Sequence, residues 1–155
     1  MRGIVQRVSR AHVTVEGERV GEIGSGLVVL VAAHRDDTPK EAARLADRVV
    51  GCRIFNDRQG RMNLSLRDLW AAGDEANGAR RPGVLAVSNF TVYGDTTQRR
   101  PSFVLSAPYE RGKELFERFV AELASMGCPV QTGIFGAHMD VEMVNDGPVT
   151  VIVES

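Results

Sequence analysis

The 155-residue sequence is poor in cysteine and has no long apolar run, and each shortage excludes a class of protein. Its two cysteines, Cys52 and Cys128, lack CxxC spacing and a nearby second ligand, which argues against a zinc site and a disulfide framework. The longest apolar run, residues 27–33, is too short to span a bilayer, and residues 1–17 contain no apolar core of the signal-peptide type. We therefore expect a cytoplasmic protein with no membrane partner, no metal and no other cofactor.

An excess of charge of one sign is also lacking. The chain has 19 basic and 20 acidic residues and a net charge of -1, so no overall field draws it to nucleic acid or to an anionic membrane. Any contact with RNA must therefore be local. Lys40 and Lys113 are the only lysines, and arginines cluster between residues 44 and 67. A guanidinium suits phosphate binding, but a solvated helix face explains this cluster equally well.

The common catalytic motifs are absent from the sequence as well. It contains no GxSxG, HExxH, P-loop or GxGxxG pattern. The three histidines, His12, His34 and His138, are scattered along the chain rather than grouped. A serine triad and a metal-dependent site therefore have little support.

What the sequence does contain is an apolar pattern that predicts mainly strands. Alternation on both sides of Glu16-Gly17-Glu18 indicates two strands joined by a tight turn, and residues 27–31 form a continuous apolar run typical of a central strand. Thr38-Pro39-Lys40-Glu41 is a capping box that opens a helix able to stop at Gly51. Pro108 opens a second helix, in which apolar residues recur at every fourth position.

The remaining segments complete the predicted fold. Residues 56–60 resemble a hairpin loop, and residues 70–82, which have no apolar period, indicate a surface loop or local disorder. Further strands are predicted at 84–87, 139–144 and 149–153. We therefore expect one α+β domain spanning residues 1–155, with α/β/β layers, a mostly antiparallel or mixed sheet and two main helices.

Two segments that follow strands contain residues suited to chemistry. Ser88 and Thr91, with the backbone N–H groups of residues 88–95, can stabilise an oxyanion, although a strand-to-loop transition with two capping hydroxyls explains them too. The second segment, Asn145-Asp146-Gly147-Pro148-Val149-Thr150, would ordinarily form a hairpin turn, and its spacing does not assign the isomer of the proline bond. The residues alone leave the function undecided.

The order of several short motifs resembles the D-aminoacyl-tRNA deacylase family from end to end. The motifs are Ile4-Val5-Gln6-Arg7-Val8, Gly51-Cys52-Arg53-Ile54-Phe55, Met62-Asn63-Leu64, Ser88-Asn89-Phe90-Thr91, Arg100-Pro101-Ser102-Phe103, Gln131-Thr132-Gly133 and Asn145-Asp146-Gly147-Pro148-Val149-Thr150. Each motif alone is weakly specific, but the occurrence of all of them in this order is highly specific. The resemblance implies a homodimer that hydrolyses the ester between a D-amino acid and tRNA.

The resemblance also implies how chirality is selected. Gly147 and Pro148 match the glycine and cis-proline of the family, whose carbonyl oxygens enter the partner subunit's pocket and hold the amino group of the substrate. A rigid backbone there leaves no space for an L side chain, whereas glycine, which has no side chain, passes as a second substrate. Arg7 resembles the residue that steadies this inserted loop.

The other half of the implied site holds the terminal adenosine of the tRNA and the scissile carbonyl. Ser88, Asn89, Phe90 and Thr91 match the catalytic motif of the family, and Phe135 matches an aromatic residue against which the adenine packs. The family mechanism uses the 2′-hydroxyl of the RNA to orient water, while an alternative makes Thr91 a nucleophile. Asn89 departs from the usual glutamine and Val92 from the usual leucine.

Two competing functions remain open from the sequence. One is the related deacylase whose glycine-proline bond is trans, which relaxes chirality and removes certain L-amino acids from mischarged tRNA. The other is a dimeric RNA-binding module without catalysis, because the motifs include no obvious protein acid or base.

Overall fold

The chain folds around a six-stranded mixed sheet, with helices packed on one of its faces. A computed structural model describes residues 1–73 and 81–155. In chain order the elements are β1 (Arg2–Val15), β2 (Glu18–Ile23), β3 (Gly26–Ala32), α1 (Pro39–Gly51), β4 (Phe55–Asn56), β5 (Met62–Leu64), α2 (Leu66–Ala71), β6 (Gly83–Ser88), a 3-10 turn (Phe90–Tyr93), α3 (Tyr109–Ser125), β7 (Val130–Thr132) and β8 (Asp140–Glu154).

Strand β1 organises the sheet because it pairs along both of its edges. On one edge β2 and then β3 pair with it, from Val15 opposite Glu18 to Arg2 opposite Ala32. Strand β1 is thus one arm of a long hairpin, and β2 and β3 together form the other arm. The turn of this hairpin contains Gly17 with φ 82°, which suits glycine. Strand β8 pairs antiparallel with β1 on the other edge, while β6 and β7 extend the sheet in parallel beyond β3. The predicted tight turn, central strand and mixed sheet are confirmed.

The alternation of side chains divides the apolar core into two clusters, one on each face of the sheet. Leu27 of β3 and Val84 of β6 lie in the cluster that α1 and α3 cover. Their neighbours Val28 and Leu85 lie in the second cluster, where they meet Val13 from the far half of β1. Successive residues of a strand point to opposite faces, so the sheet separates a cluster covered by helices from a second apolar cluster. The predicted α+β class is confirmed.

Helix α1 begins as the capping box predicts. The Thr38 hydroxyl accepts a hydrogen bond from the Lys40 N–H at 3.3 Å, and the Glu41 carboxylate accepts one from the Thr38 N–H at 2.8 Å. These bonds satisfy N–H groups that a helix start leaves without partners. Helix α3 likewise starts after Pro108, its N-cap residue. No helix among the described residues is long and apolar enough to cross a membrane.

The first residues of the predicted loop, residues 70–82, are helical, so the prediction is wrong there and the two main helices are joined by a third. A third helix, α2, runs through Ala71, and a second capping box formed by Ser65 and Asp68 opens it. Trp70 packs against the main core, and its indole N–H donates to the Pro82 carbonyl at 2.8 Å. The six-residue helix is too short to show an apolar period, so the sequence pattern missed it. The rest of the predicted loop, residues 74–80, lies outside the described residues.

Candidate active site

The segment Asn145 to Val149 forms a bulge within one continuous strand rather than the hairpin turn its sequence ordinarily predicts. Gln6 pairs with Thr150 and Val8 pairs with Asn145, so residues 146–149 all stand opposite Arg7. Both halves of β8 run antiparallel to the same strand, β1, which excludes a reversal of the chain between them. We call residues 146–149 the β8 loop.

Local hydrogen bonds and glycine geometry shape the β8 loop. The Asn145 amide oxygen accepts from the Val149 N–H at 2.9 Å, which closes the loop at its base. The Gly147-Pro148 peptide bond is cis, and both residues are exposed. Gly147 has φ 132°, and a Cβ there would lie 3.1 Å from the Arg7 guanidinium. Only glycine combines this φ with so close an approach of the arginine.

Arg7 connects the β8 loop to the segment before β4 through a buried guanidinium. The residue is only 6% exposed. Its Nε donates to the Asp146 carbonyl at 3.1 Å and faces the Asp146 carboxylate at the same distance. One terminal nitrogen donates to the Ile54 carbonyl at 2.7 Å and to the Asn56 amide oxygen at 3.3 Å. A buried charge needs such partners to offset its lost hydration, so Arg7 fixes the position of the loop.

A second group of predicted residues lies where β6 ends and the 3-10 turn begins. The Asn89 N–H donates to the Val31 carbonyl at 2.8 Å and so continues the parallel ladder by one bond. The Asn89 amide oxygen then accepts from the Thr91 N–H at 3.2 Å and from the Thr91 hydroxyl at 2.5 Å. Asn89 therefore caps the turn, and the Thr91 hydroxyl is held by an amide oxygen, which is not a base.

The turn leaves the backbone N–H of Phe90 without an acceptor among residues 1–73 and 81–155, whereas the N–H groups of Asn89, Thr91 and Val92 are all bonded. The carbonyl of the same peptide, that of Asn89, accepts from the Val92 N–H at 3.2 Å, and the Ser106 hydroxyl donates to the Phe90 carbonyl of the next peptide at 2.8 Å. A free donor on a fixed peptide can bind a developing negative charge without reorganising.

Ser88, Asn89 and Phe90 line a cavity of about 610 Å³ whose walls are mostly apolar. Phe135 also lines the cavity, and its ring meets Tyr109 edge-on at 5.2 Å and Phe116 at 5.9 Å. This volume is within the range of cavities that bind small ligands. The cavity therefore brings Phe90, the residue with the free N–H, together with an aromatic surface.

The last residue of the turn, Tyr93, keeps its phenol uncharged. Burial, with a smaller contribution from the Asp37 carboxylate, raises the pKa of Tyr93 to about 12. The ring of Tyr93 lies edge-on to His34 at 5.3 Å and beneath the Arg2 guanidinium at 4.7 Å. In the described part of the chain, no three His, Cys, Asp or Glu side chains group as metal ligands.

Comparison with known proteins shows the family to which this sequence belongs. A family model described as D-Tyr-tRNA(Tyr) deacylase matches residues 4–154. The chain belongs to this deacylase family. The D-aminoacyl-tRNA deacylase of Thermotoga petrophila is 50% identical over 156 residues, which cover 100% of this chain and 97% of that protein. The D-aminoacyl-tRNA deacylase of Symbiobacterium thermophilum is 49% identical and is covered over 96% of its length.

Two solved structures share the fold of this chain over almost their whole length. The c-Myc DNA Unwinding Element Binding Protein superimposes with a TM-score of 0.87 at 33% identity, covering 100% of this chain and 99% of that one. A probable eukaryotic D-amino acid tRNA deacylase superimposes with a TM-score of 0.78 at 17% identity, covering 99% of this chain and 98% of that one. The second likeness supports the fold alone.

Within one chain of this deacylase, the predicted site residues form two separate groups. The cavity brings Ser88, Asn89 and Phe90 together with Phe135, whereas Thr91 is not part of its lining. Arg7 and the β8 loop are elsewhere on the sheet. Ser88 aligns with Gly3 through Val31, so Arg7 is about 13 Å from Ser88 along the strands and about 10 Å across them, and the β8 loop, one strand farther, is about 14 Å across.

Sequence reasoning missed several residues that complete the cavity of this deacylase. Tyr109 and Phe116 from α3 support Phe135, and Met139, Val141 and Met143 form part of the wall. Alternation predicts that the last three share one face of a strand, but it does not show which cavity that face borders.

Proposed function

We propose that the protein hydrolyses the ester of D-aminoacyl-tRNA and releases the free D-amino acid and tRNA in the cytoplasm. The observation that carries this proposal is the free Phe90 N–H at a cavity large enough for an adenosine, in a chain that belongs to a deacylase family. Ester hydrolysis passes through an oxyanion, and a preorganised N–H is the group that stabilises one.

The terminal adenosine of the tRNA occupies the cavity in this proposal. Its adenine packs against Phe135, whose ring is already held by Tyr109 and Phe116. Packing of a base on an aromatic ring tolerates any sequence upstream, which suits an enzyme that acts on many tRNAs. The scissile carbonyl then lies at the strand end formed by Ser88 and Asn89, with its oxygen toward the Phe90 N–H.

The 2′-hydroxyl of the RNA orients the attacking water in this mechanism. Support comes from the Thr91 hydroxyl, which donates to the Asn89 amide oxygen and has no base as its partner. A threonine nucleophile requires such a base. Thr91 therefore acts as part of the turn that aims the Phe90 N–H, and Asn89 holds the turn in place of the usual glutamine.

Selection against L substrates is assigned to the β8 loop of the partner subunit in a homodimer. The loop is exposed, is fixed at its base by Arg7, and contributes no residue to the lining of the cavity in its own chain. Across a dimer interface, the carbonyl oxygens of Gly147 and Pro148 hold the substrate amino group, and the backbone excludes an L side chain. Glycine on tRNA passes the same filter and is a second substrate.

The activity is tested by release of the amino acid from D-Tyr-tRNA, L-Tyr-tRNA and Gly-tRNA, each measured beside a control without enzyme. We expect rapid loss of the D-tyrosyl and glycyl esters and no loss of the L-tyrosyl ester. Hydrolysis of both tyrosyl esters would instead identify the relaxed relative, and hydrolysis of none would identify a binding module.

The role of the backbone donor is tested by Phe90→Pro, which removes the N–H, beside Phe90→Ala, which keeps it. Proline is tolerated at the first position of a helical turn, and Phe90 occupies that position. We expect kcat to fall about 100-fold to 1000-fold in the proline variant and much less in the alanine variant. Equal losses in the two folded variants would refute the oxyanion role.

A further inference from the structure

An exposed aromatic surface borders the cavity on its Phe90 side. Phe90 is 59% exposed and Phe103 is 37% exposed, although apolar rings of this size are usually covered. Their ring centroids are 5.1 Å apart in an edge-to-face arrangement. The cavity wall therefore continues outward as a pair of uncovered rings.

The loop that precedes Phe103 carries two exposed arginines. Asp95 and Ser102 close this loop with backbone hydrogen bonds of 2.8 and 2.9 Å, and the Asp95 carboxylate accepts from the Thr97 N–H at 2.9 Å. Arg99 and Arg100 lie between these ends, are exposed and form no ion pair with any described residue. Arg99 is four positions before Phe103 and Arg100 is three positions before it, a reach of up to about 13 Å.

Free guanidinium groups beside uncovered rings are the chemistry that binds single-stranded nucleic acid. Guanidinium groups neutralise phosphates and the rings stack on bases of any sequence. With a net charge of -1 the molecule has no general attraction for RNA, so its phosphate contacts must be concentrated locally. Phe103, close to Arg99 and Arg100 in the chain, contacts Phe90 of the cavity wall. Arg58 and Arg61 are exposed too, but they lie on a different loop, the hairpin loop between β4 and β5.

We propose that Arg99, Arg100 and Phe103 bind the single-stranded nucleotides of the tRNA that precede its terminal adenosine. The inference rests on the proposed function, since the adenosine in the cavity sets the start of the strand. Phe103 stacks on a base as the RNA leaves the cavity, and the two arginines contact the phosphates that follow. The surface contributes affinity for tRNA and takes no part in bond breaking.

A comparison of two substrates distinguishes the contribution of this surface from that of the catalytic cavity. One is D-Tyr-tRNA, and the other is adenosine esterified with D-tyrosine, which has no preceding nucleotides. The quantity measured is kcat/KM for the tRNA ester divided by kcat/KM for the adenosine ester. We expect Arg99→Glu/Arg100→Glu to lower this ratio about tenfold, and Phe103→Leu to lower it severalfold. The matched control, Arg58→Glu/Arg61→Glu, makes the same change of charge on the other loop and is expected to keep the wild-type ratio.

Salt provides an independent readout of the same contacts. Two phosphate contacts to a single strand give a slope of about -1.4 in log affinity against log salt, or roughly sevenfold between 50 and 200 mM. We expect the Arg99→Glu/Arg100→Glu variant to lose this part of the slope. An unchanged ratio and slope in an active enzyme, or an equal loss in the control variant, would overturn the proposal. Absence of hydrolysis of either substrate by the wild-type protein would contradict the proposed function instead.

Discussion

Replacing Arg7 with methionine removes a buried guanidinium while retaining most of the packing of its stem. The substitution deletes the charge-assisted hydrogen bonds to the Asp146 and Ile54 carbonyls, at 3.1 and 2.7 Å. A hydrogen bond of this kind contributes about 1.5 to 3 kcal/mol. The Asp146 carboxylate is 57% exposed, so solvent screens its attraction and little is added for it. We expect Arg7→Met to lower the free energy of unfolding by about 3 kcal/mol.

The same substitution should release the β8 loop and so weaken the selection of D over L esters. The free energy of unfolding is measured in urea at one fixed protein concentration, because association contributes to the stability of a dimer. Hydrolysis of D-Tyr-tRNA and L-Tyr-tRNA is measured on the same samples under conditions where the variant is folded. Arg7→Lys keeps the charge but not the planar fork, and its values should lie between those of Arg7→Met and the wild type.

Arg10→Met is the matched control for Arg7→Met. Arg10 lies on the same strand, is exposed and has no ion pair among the described residues, so its loss should change the free energy of unfolding by less than about 0.5 kcal/mol. If Arg7→Met were as mild as Arg10→Met and kept the wild-type preference for D esters, the loop would not depend on Arg7.

Two further predictions concern the two groups of site residues. Gly147→Ala places a Cβ 3.1 Å from the Arg7 guanidinium at φ 132°. We expect this variant to show lower activity and weaker D selectivity than the control Gly17→Ala, where φ is also positive but the added Cβ has open space. Equal tyrosine release by the two variants would contradict this prediction. Thr91→Ala removes the hydrogen bond from the hydroxyl to the Asn89 amide oxygen. The variant should retain substantial hydrolysis, because the backbone N–H of residue 91 still donates to Asn89 and holds the turn. Complete loss of activity in a folded protein would instead support Thr91 as the nucleophile.

The sequence predicted those parts of the fold that depend on local interactions. The capping box at Thr38 and the alternation around Gly17 are set by residues that are near one another in the chain, and both are observed. Helix α2 was missed because its capping box, Ser65 with Asp68, opens too short a helix to show a period. The β8 loop was interpreted locally as a turn, whereas its form is decided by pairing with β1, more than 130 residues away in sequence.

The candidate site shows the same limit. The order of the motifs pointed to Ser88, Asn89, Phe90 and Phe135, and the structure brings these four to one cavity. Neither composition nor spacing indicates that the Phe90 N–H is free. Whether it is free depends on which acceptors lie near each backbone N–H of the turn in the folded chain. The distance between this cavity and the β8 loop likewise requires the sheet register.

The pairing of β8 on both sides of its loop has a consequence for how this protein can change over time. Since β1 fixes the register of residues before and after the loop independently, substitutions within residues 146–149 need not shift either half of the strand. Within the limits that Gly147 and Arg7 set, the exposed positions of the loop can therefore vary while the pairing on either side stays constant. A lineage with this fold is free to explore new substrate preferences at the loop without rebuilding the sheet that holds it.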